Sequence, residues 1–155
     1  MQDYIQLAMR TCSPHGDQLL HSAIGMMTEA VEVEHAEDEA NFLEEMGDVL
    51  WYVAIGCDAL GVTLEQAEGN AIGTNDGPVE LAARYLAEMK KQIFYGKPVV
   101  PLVMTGLLGG MIALMRELCE DSEITLEEVM AQNIAKLQKR FPDRFTEDLA
   151  INRKG

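Results

Sequence analysis

FLEEMGDVLWYVA, Phe42 to Ala54, places Leu43, Met46, Leu50 and Val53 at three- and four-residue intervals, and Cys57 continues the series. That is the period of an α-helix with one buried face. Projected at about 3.6 residues per turn, Glu45, Asp48, Tyr52 and Gly56 share the opposite face. The acids therefore stand on a helix that is apolar on most sides from Val49 to Ala54, where a merely solvated helix would carry more charge.

Working outward, nearly every segment keeps the same period and none alternates as a half-buried strand does. The chain reads as all-α, a bundle of antiparallel hairpins in a single domain, residues 1–155. A short helix is expected over Asp3 to Arg10, before Ser13-Pro14. A second runs from Asp17 into the acidic stretch Glu34 to Glu39, with an apolar stripe of Ile24, Met27 and Val31. Its other face carries Glu29 and Glu32 beside Ser22, Gly25 and Thr28, small residues that leave room for a ligand. The third helix, Asn41 to Leu60, is closed by Gly61. Thr63 and Gln66 form a capping box that opens a short fourth helix, and Gly73 to Pro78 is a loop. Helices follow over Val79 to Tyr95, Val100 to Glu120, and from a second capping box at Thr125 and Glu128 to Arg140. The tail from Asp143 has few apolar anchors and is expected to wrap the surface or fray.

Sliding the chain by 62 residues superposes the two capping boxes and pairs Gly47 with Gly109, Cys57 with Cys119 and Ile72 with Ile134. This suggests repeat halves at 17–73 and 79–140. On that alignment Glu29, Glu32, Glu45 and Asp48 face Lys91, Phe94, Leu107 and Gly110, so only the first half keeps an acidic site.

Composition narrows the function. A net charge of −14 opposes a phosphate backbone, which excludes DNA or RNA as a bulk ligand. A small phosphorylated ligand bridged to carboxylates by divalent cations remains open. Cys12, Cys57 and Cys119 are odd in number, widely spaced and without a CxxC, and read as buried free thiols of a reducing compartment. The N-terminus lacks the pattern of a signal peptide, and the apolar run Leu102 to Met115 is shorter than the ~20 residues of a membrane span. A cytoplasmic protein with no membrane partner is expected.

Glu29 and Glu32 are three residues apart on one helix, as are Glu45 and Asp48 on the next. Antiparallel neighbours can turn both pairs toward one another. Four hard oxygen donors suit Mg²⁺, with Mn²⁺ as a substitute of similar preference.

At these residues the sequence resembles the MazG-like, all-α nucleoside triphosphate pyrophosphohydrolases, a superfamily that includes dimeric dUTPases and phosphoribosyl-ATP pyrophosphohydrolases. The resembling segments are Leu19 to Val33, Phe42 to Ala54 and Asn133 to Phe145. Its motif of ExxE, spacer and ExxD reads here as Glu29, Glu32, Glu45 and Asp48. The resemblance implies that these four carboxylates hold Mg²⁺ and act in cleavage of a nucleoside triphosphate between the α and β phosphates, giving the monophosphate and pyrophosphate. Which glutamate acts as base stays open. It also implies a homodimer, or a duplicated pseudo-dimer that pairs again.

Asn133, Lys136 and Arg140 lie on one side of the seventh helix and form a candidate phosphate clamp; the alternative is a solvated face. Lys91 is a further candidate through the repeat. Trp51 and Tyr52 follow Asp48 and are candidates to stack on a base, Trp51 with a core role as the alternative. His21 and Gln18 are placed to read a base edge or to make structural hydrogen bonds. Within the enzymatic reading the alternative is a narrow dUTPase-like housecleaning enzyme; outside it, the alternative is a catalytically silent helical interaction module.

Overall fold

The computed structural model describes residues 2–152, and these are helical without a strand. In chain order the helices are α1 (Gln2–Arg10), α2 (Gln18–Glu34), α3 (Glu39–Leu60), α4 (Leu64–Gly69), α5 (Pro78–Tyr95), α6 (Pro101–Asp121), α7 (Leu126–Arg140) and α8 (Glu147–Ile151). The four long helices α2, α3, α5 and α6 pack on one another, α1 and α7 lie on α3, and α4 lies on α6.

Local chemistry sets the ends. Asp17 caps α2 through the amides of Leu19 and Leu20, and Asp38 caps α3 through the amide of Asn41. Both predicted capping boxes form, at Thr63 with Gln66 and at Thr125 with Glu128. Gly61 closes α3 at φ 71°, a left-handed conformation that costs glycine nothing. The second helix ends at Glu34, the first residue of the acidic stretch, and the Asp38 cap starts the third at Glu39, two residues before the Asn41 expected from sequence. The tail wraps rather than frays as far as it is described. The Phe145 amide donates to the Arg10 carbonyl, its ring packs 5.4 Å from that of Phe141, and Thr146 caps α8.

The stripe read for α2 needs correction. Ile24 is half exposed, and the helix instead buries Ser22, Ala23, Gly25, Met26, Ala30 and Val33. Two neighbours, α3 and α5, grip it from different sides, so its buried face is wider than one apolar stripe and is built of small residues. The room those small residues leave is filled by protein. The Tyr52 ring lies directly over Gly25, and Ser22 donates to the Tyr52 carbonyl at 2.8 Å.

On α6, Gly106, Gly109 and Gly110 admit the α4 chain and the residues after it, with the Ala67 carbonyl pressed onto Gly109. By length and composition alone α6 could cross a bilayer; 61% of its most apolar stretch is buried inside the fold. All three cysteines are free and buried, and burial pushes the Cys12 thiol up to about 11 and Cys57 to about 12.

The 62-residue offset recurs in the architecture. α3 and α6 begin at residues 39 and 101, α4 and α7 at 64 and 126. At Gly47 on α3 the facing residue is Asn133 of α7, and at Gly109 on α6 the facing residues include Ala71, which is Asn133's counterpart at the same offset. Each long helix of the second strand of a hairpin is thus crossed, at a glycine, by the short helix that follows the other.

Candidate metal centre

The α2–α3 register puts Ser22 on the Tyr52 carbonyl, and with antiparallel helices that same register sets Glu29 level with Glu45. Asp48 follows one turn along α3. Carboxylate oxygens of Glu29, Glu45 and Asp48 come within 4.8 Å of one another, all three half-buried, in an arrangement that could hold a metal ion. Glu32 sits a turn farther along α2; it is exposed and lines the same cleft, but does not join that group.

The electrostatics are those of crowded acids. Burial, then the Asp48 charge and the Glu45 carboxyl beside it, push the Glu29 carboxyl up to about 7, while Lys136 acts in the opposite sense. The other two acids are held in place by amides. Asn41 Nδ2 donates to Glu45 Oε1 at 3.1 Å, and Asn133 Nδ2 donates to Asp48 Oδ1 at 3.1 Å. Lys136 Nζ donates to the same Asp48 oxygen at 2.6 Å and reaches Glu44 at 3.4 Å.

The cleft around these acids has a volume of about 470 Å³. Besides the acids it is walled by His21, Trp51 and Tyr52 from α2 and α3, by Lys136, Arg140 and Phe141 at α7, and by Phe145 and Ala150 of the tail. The aromatic wall is packed edge to face: Trp51 and Tyr52 have ring centroids 4.9 Å apart, and His21 lies 5.5 Å from Tyr52. Trp51 Nε1 donates to Thr11 Oγ1 at 3.2 Å, which ties the wall to the end of α1. Burial lowers the His21 pKa and so favours its neutral ring.

Of the residues singled out from sequence, Glu29, Glu32, Glu45, Asp48, His21, Trp51, Tyr52, Lys136 and Arg140 meet at this one cleft. Asn133 is buried behind it, where it orients Asp48 instead of facing the opening. Arg140 has no carboxylate partner among the described residues, whereas Lys136 is engaged with Asp48. Gln18 is turned away, with its amide on the Ser13 carbonyl and the Cys12 thiol on its oxygen. Lys91 is exposed near the end of α5, paired with Glu88, and does not line the cleft.

Three contributors escaped sequence reading. Asn41 was findable, since it stands one turn before Glu45. Glu44 adjoins it. Tyr4, which donates to Asn133 Oδ1 at 3.0 Å, is 129 residues from its partner and gave no local signal.

These features define an all-α protein with an acidic, aromatic-walled cleft in which Glu29, Glu45 and Asp48 could hold a metal ion. Compared with protein-family models, with curated proteins and with solved structures, the chain matches none.

Proposed function

We propose that the protein is a Mg²⁺-dependent nucleoside triphosphate pyrophosphohydrolase, releasing a nucleoside monophosphate and pyrophosphate. The observation that carries this reading is the convergence of Glu29, Glu45 and Asp48 in a cleft that also presents Arg140 and an aromatic wall. The donor set is all carboxylate oxygen, which fits a hard divalent cation, Mg²⁺ or Mn²⁺, and not a thiolate- or imidazole-seeking metal. When bound there, such an ion neutralises phosphate charge and lowers the pKa of coordinated water.

The chain's own residues supply the remainder. Arg140 offers a planar guanidinium for phosphate oxygens. Lys136, with its Nζ on Asp48, limits repulsion between the acids and an incoming anion. The His21, Trp51 and Tyr52 edge gives a base an apolar surface. Glu32 and Glu44 line the cleft outside the converging three; Glu44 is within reach of Lys136, which leaves Glu32, exposed at the rim, as the candidate to accept a proton from attacking water. Closing the back of the cleft with Phe141 and Phe145 reduces its exposure to bulk solvent.

The test is turnover of ribo- and deoxynucleoside triphosphates with Mg²⁺, with separate chromatographic detection of monophosphate and pyrophosphate. Both products from at least one nucleotide, abolished by Glu45→Gln and by Asp48→Asn, are expected. Release of orthophosphate and diphosphate would overturn the stated bond of cleavage, and no turnover of any nucleotide would favour the silent interaction module. Turnover confined to dUTP would mark the narrower housecleaning enzyme.

A further inference from the structure

We propose that Tyr4 is a positioning residue for the acidic centre, acting through Asn133 to fix which oxygen of Asp48 is presented to a cation. The inference rests on the reading of Glu29, Glu45 and Asp48 as metal ligands.

The chain of contacts has one consistent polarity. An ionised carboxylate only accepts hydrogen bonds, an amide NH₂ only donates, and an amide oxygen only accepts. Asp48 Oδ1 therefore requires Nδ2 of Asn133 to face it, and this turns Asn133 Oδ1 toward Tyr4, whose hydroxyl donates at 3.0 Å. Flipping the amide would set oxygen against the carboxylate and NH₂ against the donating hydroxyl. Both Asn133 and Lys136 converge on Oδ1, so Oδ2 is the Asp48 oxygen left for a cation.

Burial makes the arrangement rigid. Tyr4 and Asn133 are 6% and 4% exposed, so neither can exchange its partner for bulk water. Burial, then the Asp48 charge, raises the Tyr4 phenol well above its usual range, which keeps the hydroxyl proton in place for donation. Gly47 completes the geometry. A Cβ there would stand 3.1 Å from that of Asn133, and its absence lets α7 approach α3 closely enough for the amide to reach Asp48. The same helix α1 that carries Tyr4 leads to Thr11, which accepts from Trp51. One terminal helix thus holds both an acid of the centre and its aromatic wall.

Groups behind metal ligands commonly change metal affinity by tenfold or more when removed. The experiment is calorimetric titration of Mn²⁺, without nucleotide, into the full chain as wild type, Tyr4→Phe, Asn133→Ser and the double variant, with melting in EDTA recorded for each. Tyr4→Phe is expected to weaken Mn²⁺ binding roughly three- to tenfold, and Asn133→Ser by at least as much. The double variant should bind no more weakly than Asn133→Ser alone, because Tyr4 acts through that amide. A merely structural role would lower the melting temperature and leave Mn²⁺ affinity unchanged, and that result overturns the inference. Additive losses overturn it too, and if Tyr4→Phe does not fold, unchanged affinity in Asn133→Ser serves the same purpose. Failure of the wild type to bind Mn²⁺ or Mg²⁺ sinks the metal reading itself, a distinct outcome.

Discussion

At Glu29 a proton would compete with the proposed cation for the same carboxylate. Its ordinary pKa of 4.5 is pushed up to about 7, chiefly by burial and then by Asp48. A folded-state value above the unfolded one means that the group's contribution to stability is fully present below about 4.5 and is lost as pH rises through about 7. The metal-free protein should therefore lose stability across that window, while Mn²⁺ affinity rises with pH and levels off above about 7. Calorimetry in buffers of different ionisation enthalpy checks this through the protons released: fewer as pH climbs past that point, and none well above it. Glu29→Gln should raise the melting temperature in EDTA under mildly alkaline conditions, weaken metal binding about tenfold or more, and flatten the pH dependence. A variant that melts lower and binds Mn²⁺ normally would remove Glu29 from the centre. The converging acids were legible in the sequence because i, i+3 spacing and an antiparallel connection are local properties. The residues that hold them were less so. Asn41 lies within a turn of Glu45, but Tyr4 meets Asn133 only after the whole bundle has closed, and no spacing records that.

Among the elements, the two helix crossings at glycine separate structure from function. A methyl added at Gly109 would be driven into the Ala67 carbonyl, a backbone atom held by α4, and α4 itself is pinned by its capping box. Gly109→Ala should cost about 1–3 kcal/mol or more, as overpacking against an immovable neighbour does. At Gly47 the new methyl would meet the Asn133 side chain at 3.1 Å, a contact that a small outward shift of α7 relieves. Gly47→Ala should therefore spare most of the stability and weaken metal binding, since that shift draws Asn133 and Lys136 away from Asp48. Chemical unfolding beside Mn²⁺ titration reads both effects, and equal damage to stability in the two variants would contradict the distinction. Helix existence and the Thr63, Thr125 and Gly61 caps were readable because these residues act on their own neighbours, whereas the Asp17 and Asp38 caps were not singled out. The buried face of α2 was not, because two partners surround it and Ile24, the most apolar residue nearby, ends outside. Small residues looked like space for a ligand, and Tyr52 occupies it.

For the whole molecule, α3 and α6, and α4 and α7, start 62 residues apart, yet the converging acids lie on α2 and α3 alone. At the positions matching Glu29, Glu32, Glu45 and Asp48, the second half has Lys91, Phe94, Leu107 and Gly110, and Asn133, Lys136 and Arg140 correspond to Ala71, Thr74 and Pro78. The equivalent place, between α5, α6 and the residues after α4, therefore has neither the acids nor counterparts of Lys136 and Arg140, and it is closed: Leu107 is buried and Ile72 packs on Gly110. The cleft draws on both ends of the chain, its acids from α2 and α3 and Lys136 and Arg140 from α7. Neither half alone can form it. Titration of a nonhydrolysable nucleoside triphosphate in Mg²⁺ should accordingly give one site per chain, and two per chain would contradict the closure of the second half. The same ligation should steady the entire fold, because a net charge of −14 is concentrated partly in these acids and a cation relieves it. At about one hundred times its dissociation constant a bound ion adds about 2.7 kcal/mol, or roughly 5–10 °C in melting temperature for a chain of this size. Scanning calorimetry with Mg²⁺ should show that rise in the wild type and its absence in Glu45→Gln, and an equal rise in the variant would mean that Mg²⁺ stabilises the molecule by screening its surface charge and not by binding between Glu29, Glu45 and Asp48.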